Sequence, residues 1–207
     1  LLKSLIWSEQ FEQAQKVGEQ ALQFAIKNDN PIEHLRLLFE LGVLAGQQEQ
    51  FSKANELFEQ SRALAEQHFD NLYAAFAHSE IGHIFAKQKQ WQQAEFMYQQ
   101  ALNYHQGFNC PYGQINNLDA LSKVAFSQNN LTKAKVHFDN AMAIANKNEL
   151  LFEQVSLLLN KATRIKVIEQ KNKLIAESET LVKQLENSHI KQQFSEKIYG
   201  LKKVSKS

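Results

Sequence analysis

A pattern of bulky and small side chains recurs every forty residues along this chain. In its clearest copy Trp91 is followed by the small residues Ala94 and Ala101, three and ten positions later, with Tyr98 between them. The other copies hold, in the same slots, Phe11, Ala14, Gly18 and Ala21, then Phe51, Ala54, Phe58 and Ser61, and finally Leu131, Ala134, Phe138 and Ala141. A fixed period of this length is typical of repeat architectures, so it restricts the fold more than any other feature.

A second set of slots precedes each of these and has the spacing of an amphipathic helix. Mostly apolar or small residues stand at positions i, i+3, i+4 and i+7, namely Leu38, Leu41, Gly42 and Ala45, then His78, Ile81, Gly82 and Phe85, then Leu118, Leu121, Ser122 and Ala125. This spacing places the side chains on one stripe of a helix. Each unit is therefore predicted to be a pair of helices, a first helix followed by a second.

Polar turns separate the helices. Within pairs they fall at 47–50, 87–90 and 127–130, and stronger breakers at 28–31, 68–71 and 107–111 separate the pairs. Pro31 and Pro111 suit the first turn of a following helix. Asn30 and Asn109 are predicted N-cap or turn residues.

The small residues in these slots are expected where two helices approach closely. Gly42, Gly82 and Ser122 mark such places on the first helices, because a glycine inside a helix costs about 1 kcal/mol and needs a packing reason. Ala94 and its equivalents mark them on the second helices. The bulky residues, Leu131 among them, are expected to fill the space beside each crossing.

A fifth copy is present in altered form. Leu158, Ala162 and Ile165 fill first-helix slots, whereas Lys161 stands where leucine or isoleucine stood before. A terminal repeat is expected to depart from its neighbours. We therefore predict a repeat domain over residues 1–186, with units near 1–27, 31–67, 72–106, 111–147 and 150–186.

The C-terminal segment is rich in lysine. It carries Lys191, Lys197, Lys202, Lys203 and Lys206 against the single acid Glu196. We predict a capping helix with a basic tail over 187–207, and a linker helix toward a further domain is the alternative. Without interleaved aromatic residues or a recognition motif, nucleic-acid binding is not expected.

The repeat pattern resembles that of the tetratricopeptide repeat family. The residues that carry the resemblance best are Ile81, Gly82, Phe85, Ala94, Tyr98 and Ala101. The usual unit has roughly 34 residues, so this chain resembles a long-helix variant. The resemblance covers residues 1–186 and implies an all-α fold, a right-handed superhelical solenoid of about five antiparallel helix pairs.

The resemblance also implies a binding groove. First helices of this family line a concave groove that binds a protein or peptide. Carried over by register, the groove positions here are Arg36, Phe39, Val43, Phe76, Ser79, His83, Lys87, Asn116, Asp119, Lys123 and Lys166. Such a groove suits a peptide or helix with apolar anchors and a few acidic residues. In the alternative interpretation the phenylalanines belong to the core between repeats and the lysines are solvated surface.

The residues at the groove positions and at the chain ends bear on two narrower functions, chaperone binding and ligand sensing. Chaperone-binding members of the family have a carboxylate clamp of Lys, Asn and Arg, but the matching slots here hold Phe39 and Val43, so a chaperone-binding role is not expected. The alternative to a scaffold is a ligand-sensing module of a larger bacterial regulatory or signalling protein. The start at Leu1 rather than methionine and the basic tail motivate this alternative. Self-association into a homo-oligomer is left open.

The sequence contains no recognisable catalytic or metal-binding motif. His78, Glu80 and His83 do not have the i, i+4 histidine spacing of a zinc helix, and no glycine-rich phosphate loop occurs. Cys110 lies beside Pro111 with no evident histidine base, so it is not expected to act as a nucleophile. We therefore expect no enzyme activity, no cofactor and no metal.

Charge and composition exclude further classes. The formal net charge of +1 provides no general attraction to nucleic acids or acidic lipids. No apolar run approaches the roughly 18 residues of a membrane span. The single cysteine excludes an internal disulfide framework and fits a reducing compartment, so a cytoplasmic location is expected.

Overall fold

The computed structural model describes residues 2–165 and 167–204. Over these residues the chain forms eleven α-helices and no β-strand, which confirms the predicted all-α class of helix pairs. The helices are α1 (Leu2–Trp7), α2 (Phe11–Lys27), α3 (Pro31–Gln47), α4 (Phe51–Gln67), α5 (Asn71–Lys87), α6 (Trp91–Gly107), α7 (Pro111–Ser127), α8 (Leu131–Lys147), α9 (Leu151–Ala162), α10 (Ile168–Gln184) and α11 (Ser188–Val204). None of them is long and apolar enough to traverse a lipid bilayer.

The forty-residue period has a simple structural origin. Each helix from α2 to α8 contains 17 residues. Three-residue turns join them. One pair of helices with its two turns therefore makes one period. The odd-numbered helices are the first helices of the pairs, and the even-numbered helices up to α10 are the second helices.

Every one of these turns ends one helix and begins the next. In the turn after α2, Asp29 has a left-handed backbone with a φ of 50°. Its N–H donates to the carbonyl of Ile26 at 3.1 Å, and the N–H of Asn30 donates to that of Ala25 at 3.0 Å. This Schellman pattern satisfies carbonyl groups that the helix end leaves unpaired. Asn30 is also the N-cap of α3, where its side chain accepts from the N–H of Glu33 at 3.1 Å.

The same backbone geometry recurs every twenty residues. The left-handed residues are Glu9, Asp29, Glu49, Phe69, Lys89, Asn109, Asn129 and Glu149. None of them is glycine, although glycine is the residue that adopts this conformation without steric cost. The geometry is therefore imposed by the hydrogen bonds of the two flanking helices rather than by a permissive turn residue.

The repeated glycines lie against aromatic rings of the paired helix. A Cβ atom on Gly42 would lie 2.7 Å from the ring of Phe58, and one on Gly82 would lie 3.0 Å from the ring of Tyr98. Only a residue without a side chain lets these rings rest on the helix backbone. In the fourth unit Ser122 takes the slot, and its hydroxyl donates to the carbonyl of Ala134 at 2.8 Å.

The first compact unit, Leu1–Cys110, contains α1 to α6. Its first helices α1, α3 and α5 contact one another and form one layer, which we call the first-helix face of this unit. Buried leucines of α3 pack between α1 and α2, and Phe58 packs with Ile81 and Ile84 in the next pair.

The second compact unit, Pro111–Ser207, contains α7 to α11. Its first helices are α7 and α9, and α9 also contacts α11. Phe194 and Ile198 of α11 are buried with residues of α9 and α10, including Leu159 and Ile175. The apolar stripe of the C-terminal helix therefore covers the last helix pair.

The period breaks inside this second unit. α9 ends at Ala162 after 12 residues, and α10 begins at Ile168. Ile165 was predicted to lie in the first helix of this pair, but it lies in the connection that follows it. The carbonyl of Asn160 accepts hydrogen bonds from the side chains of Thr163 at 2.7 Å and Arg164 at 2.8 Å. These side chains compete with the backbone of a continuing helix.

Leu131 also differs from its prediction. Its equivalents Phe51 and Trp91 are half-buried, whereas Leu131 is 58% exposed. The helix α9 ends early, at Ala162, near Leu131. An open space therefore lies where the repeat would place side chains that cover Leu131. Lys166 and residues 205–207, which include Lys206, lie outside the described residues.

The alanine slots tolerate no larger side chain. Ala94 is fully buried, so Ala94→Leu is expected to overpack the pair α5–α6 and lower the free energy of unfolding by roughly 1–3 kcal/mol. Urea denaturation measures the change. Gln93→Leu, at the neighbouring exposed position, is the matched control, and an equal loss in both variants would show that the crossing is not tightly packed.

The turn residues are predicted to be improvable. Phe69 is 87% exposed and has a φ of 58°, a strained combination for a bulky residue. Phe69→Gly is expected to raise the free energy of unfolding by about 1 kcal/mol. Asn109→Gly should raise the free energy of unfolding by less, because asparagine tolerates the left-handed conformation better than phenylalanine does. Thermal and urea unfolding compare the two, and a loss of stability in Phe69→Gly would contradict the assignment of strain.

Candidate functional site

The predicted groove residues divide between the two units, and each group is described by itself. In the first unit, α3 and α5 carry Arg36, Phe39, Val43, Phe76, Ser79, His83 and Lys87. Of these, Phe39, Val43 and Ser79 are half-buried and the others are exposed. In the second unit α7 carries exposed Asn116 and Lys123 and buried Asp119. The remaining prediction, Lys166, falls outside the described residues.

Phe39 is the centre of an aromatic cluster on the first-helix face of the first unit. Its ring centroid lies 5.3 Å from that of Phe58, 5.5 Å from that of Tyr73 and 6.0 Å from that of Phe76. Such distances and tilted or edge-on geometries are favourable for aromatic pairs. Phe76 is 37% exposed. The cluster of Phe39, Phe58, Tyr73 and Phe76 therefore extends from the core to an aromatic edge at the surface.

Charged side chains frame this aromatic cluster. The Cζ atom of Arg36 lies 5.5 Å from the centroid of the Tyr73 ring, in the range of a cation–π contact. The buried carboxylate of Glu40 forms an ion pair with the ammonium group of Lys3 at 3.0 Å, and the hydrogen bond between these groups raises the pKa of Lys3. The charge of the Glu40 carboxylate near the cluster is thus balanced by Lys3 of α1. Arg36 is exposed and has no ion pair within residues 2–165 and 167–204, so positive charge adjoins the aromatic edge.

Three of the predicted residues meet in a small pocket next to this cluster. Val43 on α3 and His83 and Lys87 on α5 line it together with Glu80, and its volume is about 330 Å³. Burial raises the pKa of the Glu80 carboxyl group. Glu80 was not among the predicted groove residues. Over the described residues no group of three metal-ligating side chains comes together.

Two histidines lie in the interior of the first unit. His78 was expected to pack in a first-helix slot, and it does: it stacks on Tyr104 with centroids 5.7 Å apart. Its Nε2 lies 3.3 Å from a carboxylate oxygen of Glu66. His105 is fully buried, with its ring centroid 6.0 Å from that of Phe76 and 5.3 Å from that of Phe108. Burial lowers the pKa of both histidines, and the charge of Arg62 lowers that of His78 further.

A polar network joins α7, α9 and α11 in the second unit. The buried carboxylate of Asp119 pairs with Lys123 at 2.6 Å and with Arg164 at 3.2 Å. It also accepts from the side-chain amide of Asn160 at 3.0 Å. Lys197 of α11 donates to Asn160 at 3.2 Å. We call these five residues the Asp119 network.

Positive charge is in excess in the Asp119 network, since three cations surround one carboxylate. Burial lowers the pKa of Arg164, and burial together with repulsion by Lys123 lowers the pKa of Lys197. A further anion near these side chains would relieve that repulsion. Lys123 and Lys197 are exposed and able to meet such an anion.

The sequence alone identified only Asp119 and Lys123 of this network. Asn160 lies one position after residue 159, which is the residue forty positions beyond Asp119, and Arg164 lies in the connection that breaks the period. Lys197 belongs to α11, which starts three residues earlier than the period of twenty would place it. Projection by register fails once the register shifts.

No family model and no curated protein matches this sequence, but solved structures share its fold. The apo form of RapI is 13% identical, with a TM-score of 0.76 over 100% of this chain and 82% of that protein. BtubC (BKLC) from P. vanneervenii is 16% identical, with a TM-score of 0.75 over 87% of this chain and 76% of that one. A Podosopora anserina protein described as a kinesin light chain with nearly identical TPR-like repeats is 16% identical, with a TM-score of 0.65 over 98% and 92% of the two chains.

These similarities establish a tetratricopeptide-like repeat fold for the chain, as its glycine and alanine slots predicted. At this level of identity they concern the fold alone. The residues of the aromatic cluster and the Asp119 network are properties of this chain, and their role is argued from their own geometry.

The buried histidines predict an acid-sensitive first unit. Because burial lowers the pKa of folded His105 below its ordinary value of 6.5, the unfolded chain binds the proton first as the pH falls. Stability is therefore expected to decline from about pH 7 through 6.5 toward the lower folded pKa. In His105→Phe this decline should be shallower.

Urea denaturation between pH 7.5 and 5 measures the effect. Phe108→Leu is the packing control, since it alters the contact with His105 without removing the titrating group. It should shift stability by a similar amount at every pH. If His105→Phe and the parent had the same pH dependence, His105 would not be the responsible group.

Proposed function

We propose that this chain is a binding module that recognises a protein or peptide through the first-helix face of its first unit. The observation that carries the proposal is the aromatic cluster, which is anchored in the core by Phe39 and leaves the edge of Phe76 at the surface beside Arg36. Aromatic and arginine side chains are enriched in protein interfaces and among the few residues that dominate their binding energy. The partner would place an apolar side chain against Phe76 and an acidic side chain near Arg36.

The repeat fold supports this proposal physically. Phe39 and Phe76 are held by neighbouring rings, and the glycine contacts fix the helices that carry them. A binding surface that is already ordered loses little side-chain and backbone entropy when a partner arrives. The half-buried position of Phe39 assigns it a supporting role, and Phe76 is the direct contact.

The Asp119 network supports the same kind of partner in the second unit. Its exposed lysines, Lys123 and Lys197, suit an acidic side chain. Asp119 holds the basic groups in place and is too buried to be a contact itself. The proposal assigns binding rather than catalysis to both units.

A ligand-sensing module of a larger regulatory protein is the second candidate function. A cavity of about 550 Å³ in the second unit favours it, because sensing requires a site that a small ligand can enter. This candidate also predicts an output domain in the same protein.

Selection of peptides tests the first proposal. A random peptide library displayed on phage is selected on the immobilised chain, and the enriched peptides are measured in solution by fluorescence anisotropy. The expected sequences combine an aromatic or aliphatic anchor with neighbouring Asp or Glu. Phe76→Ser and Arg36→Glu are each expected to weaken binding at least 10-fold, about 1.4 kcal/mol.

The matched controls lie on second helices. Phe96→Ser removes another exposed phenylalanine, on α6, and Lys53→Glu reverses another exposed cation, on α4. Both should leave affinity unchanged. Enriched peptides that bind the Phe76 and Phe96 variants equally well would refute the assignment of this face.

A further inference from the structure

A cavity lies in the second unit beside the broken period. Its volume is about 550 Å³, and its apolar walls include Phe126, Leu131, Phe138 and Val167. Leu131 and Val167 are 58% and 54% exposed, so the cavity opens to solvent on their side. Volumes of roughly 300–1,000 Å³ are typical of small-molecule sites.

Besides Lys135, two cations line this cavity, and both stand at positions where earlier repeats have core residues. Lys161 occupies the slot of Ile81, eighty residues earlier, and Arg164 occupies that of Ile84. Both isoleucines are buried and pack with Phe58. The corresponding residues of the fourth unit, Leu121 and Val124, are buried as well. The fifth copy therefore replaces two apolar core side chains with charged ones, which is costly unless the charges are compensated.

The two cations are compensated differently. Arg164 pairs with Asp119 at 3.2 Å. The ammonium group of Lys161 instead lies 3.7 Å from the centroid of the Phe138 ring. It forms no ion pair with any residue in 2–165 or 167–204, because nearby Asp139 pairs with Lys135. Burial, together with repulsion by Lys135 and Arg164, lowers the pKa of Lys161 despite the attraction of Asp139 and Glu177.

We propose that this cavity binds a small monocarboxylate with an apolar body, its carboxylate group at Lys161 and its apolar part between Phe126, Leu131 and Phe138. A carboxylate supplies the charge that Lys161 lacks, and the interaction is strengthened by the low polarity of the walls. One carboxylate group is enough in the cavity, because Arg164 faces Asp119 and Lys135 faces Asp139 there. The excess positive charge of the Asp119 network lies at the exposed Lys123 and Lys197, which do not line the cavity. The aromatic and aliphatic walls require that the rest of the ligand be apolar.

This inference does not rest on the proposed binding of a protein at Phe76. The cavity and the aromatic cluster belong to different units, so variants of one leave the other intact. Failure of either proposal is therefore separable from failure of the other.

Calorimetry with a matched pair of ligands tests the proposal. Octanoate and 4-phenylbutyrate are titrated into the full chain, each beside its neutral amide, which has the same size and lacks the charge. We expect one site per chain and an affinity for each acid at least 10-fold above that for its amide. Equal affinities for acid and amide, or no saturable binding of either acid, would overturn the proposal.

The lysine is tested by substitution. Lys161→Met keeps an unbranched side chain, shorter only by the ammonium group, and places an apolar residue in a slot that is apolar in the other repeats. The variant is therefore expected to fold with an unchanged or higher Tm. It should lose the preference for acid over amide. The matched control is Lys135→Met combined with Asp139→Asn, which removes the other lysine of the cavity without freeing Asp139 to pair with Lys161. Retained preference in Lys161→Met, or its loss in the double variant, would contradict the role of Lys161.

Discussion

The three-residue turn is the constraint on which the rest of this structure depends. Because its middle residue is left-handed and its last residue is also the N-cap of the next helix, each turn fixes both the end of one helix and the start of another. With 17-residue helices, this sets the period at forty. The glycine-to-ring contacts of Gly42 and Gly82 follow from that period, since each pair brings the same two slots together. Where the turn is lost, after Ala162, the period, the packing and the polarity of the interior all change at once.

The sequence predicts the regular part of the fold almost completely. The spacing of Gly42, Ala54 and Phe58 predicts a helix pair, because two helices pack closely only where small residues of one face bulky residues of the other. The left-handed turns were not predicted, since residues as different as Phe69 and Lys89 adopt them. The break after Ala162 was not predicted either. There the side chains of Thr163 and Arg164 both donate to the carbonyl group of Asn160, and the repeat pattern contains no sign of these contacts.

Whether a candidate site residue could be identified from the sequence also depends on whether it lies in the regular region or beyond the break. Phe39, Phe76 and Arg36 lie in the regular region, and projection by register placed them on one face. Arg164 and Lys197 lie beyond the break, where register carries no information about which side chains meet. Lys161 departs from the sequence pattern of its core slot, but only the structure shows that it borders a cavity and has no ion pair within residues 2–165 and 167–204.

The locality of these contacts has a consequence for biosynthesis. The aromatic ring that rests on Gly42 comes from Phe58, only sixteen residues later, and that on Gly82 comes from Tyr98 at the same separation. Folds dominated by such short-range contacts form in microseconds to milliseconds. A ribosome adds roughly 5–20 residues per second. The contacts within a helix pair can therefore form while later pairs are still being translated, and the contacts between pairs follow as each neighbour is added.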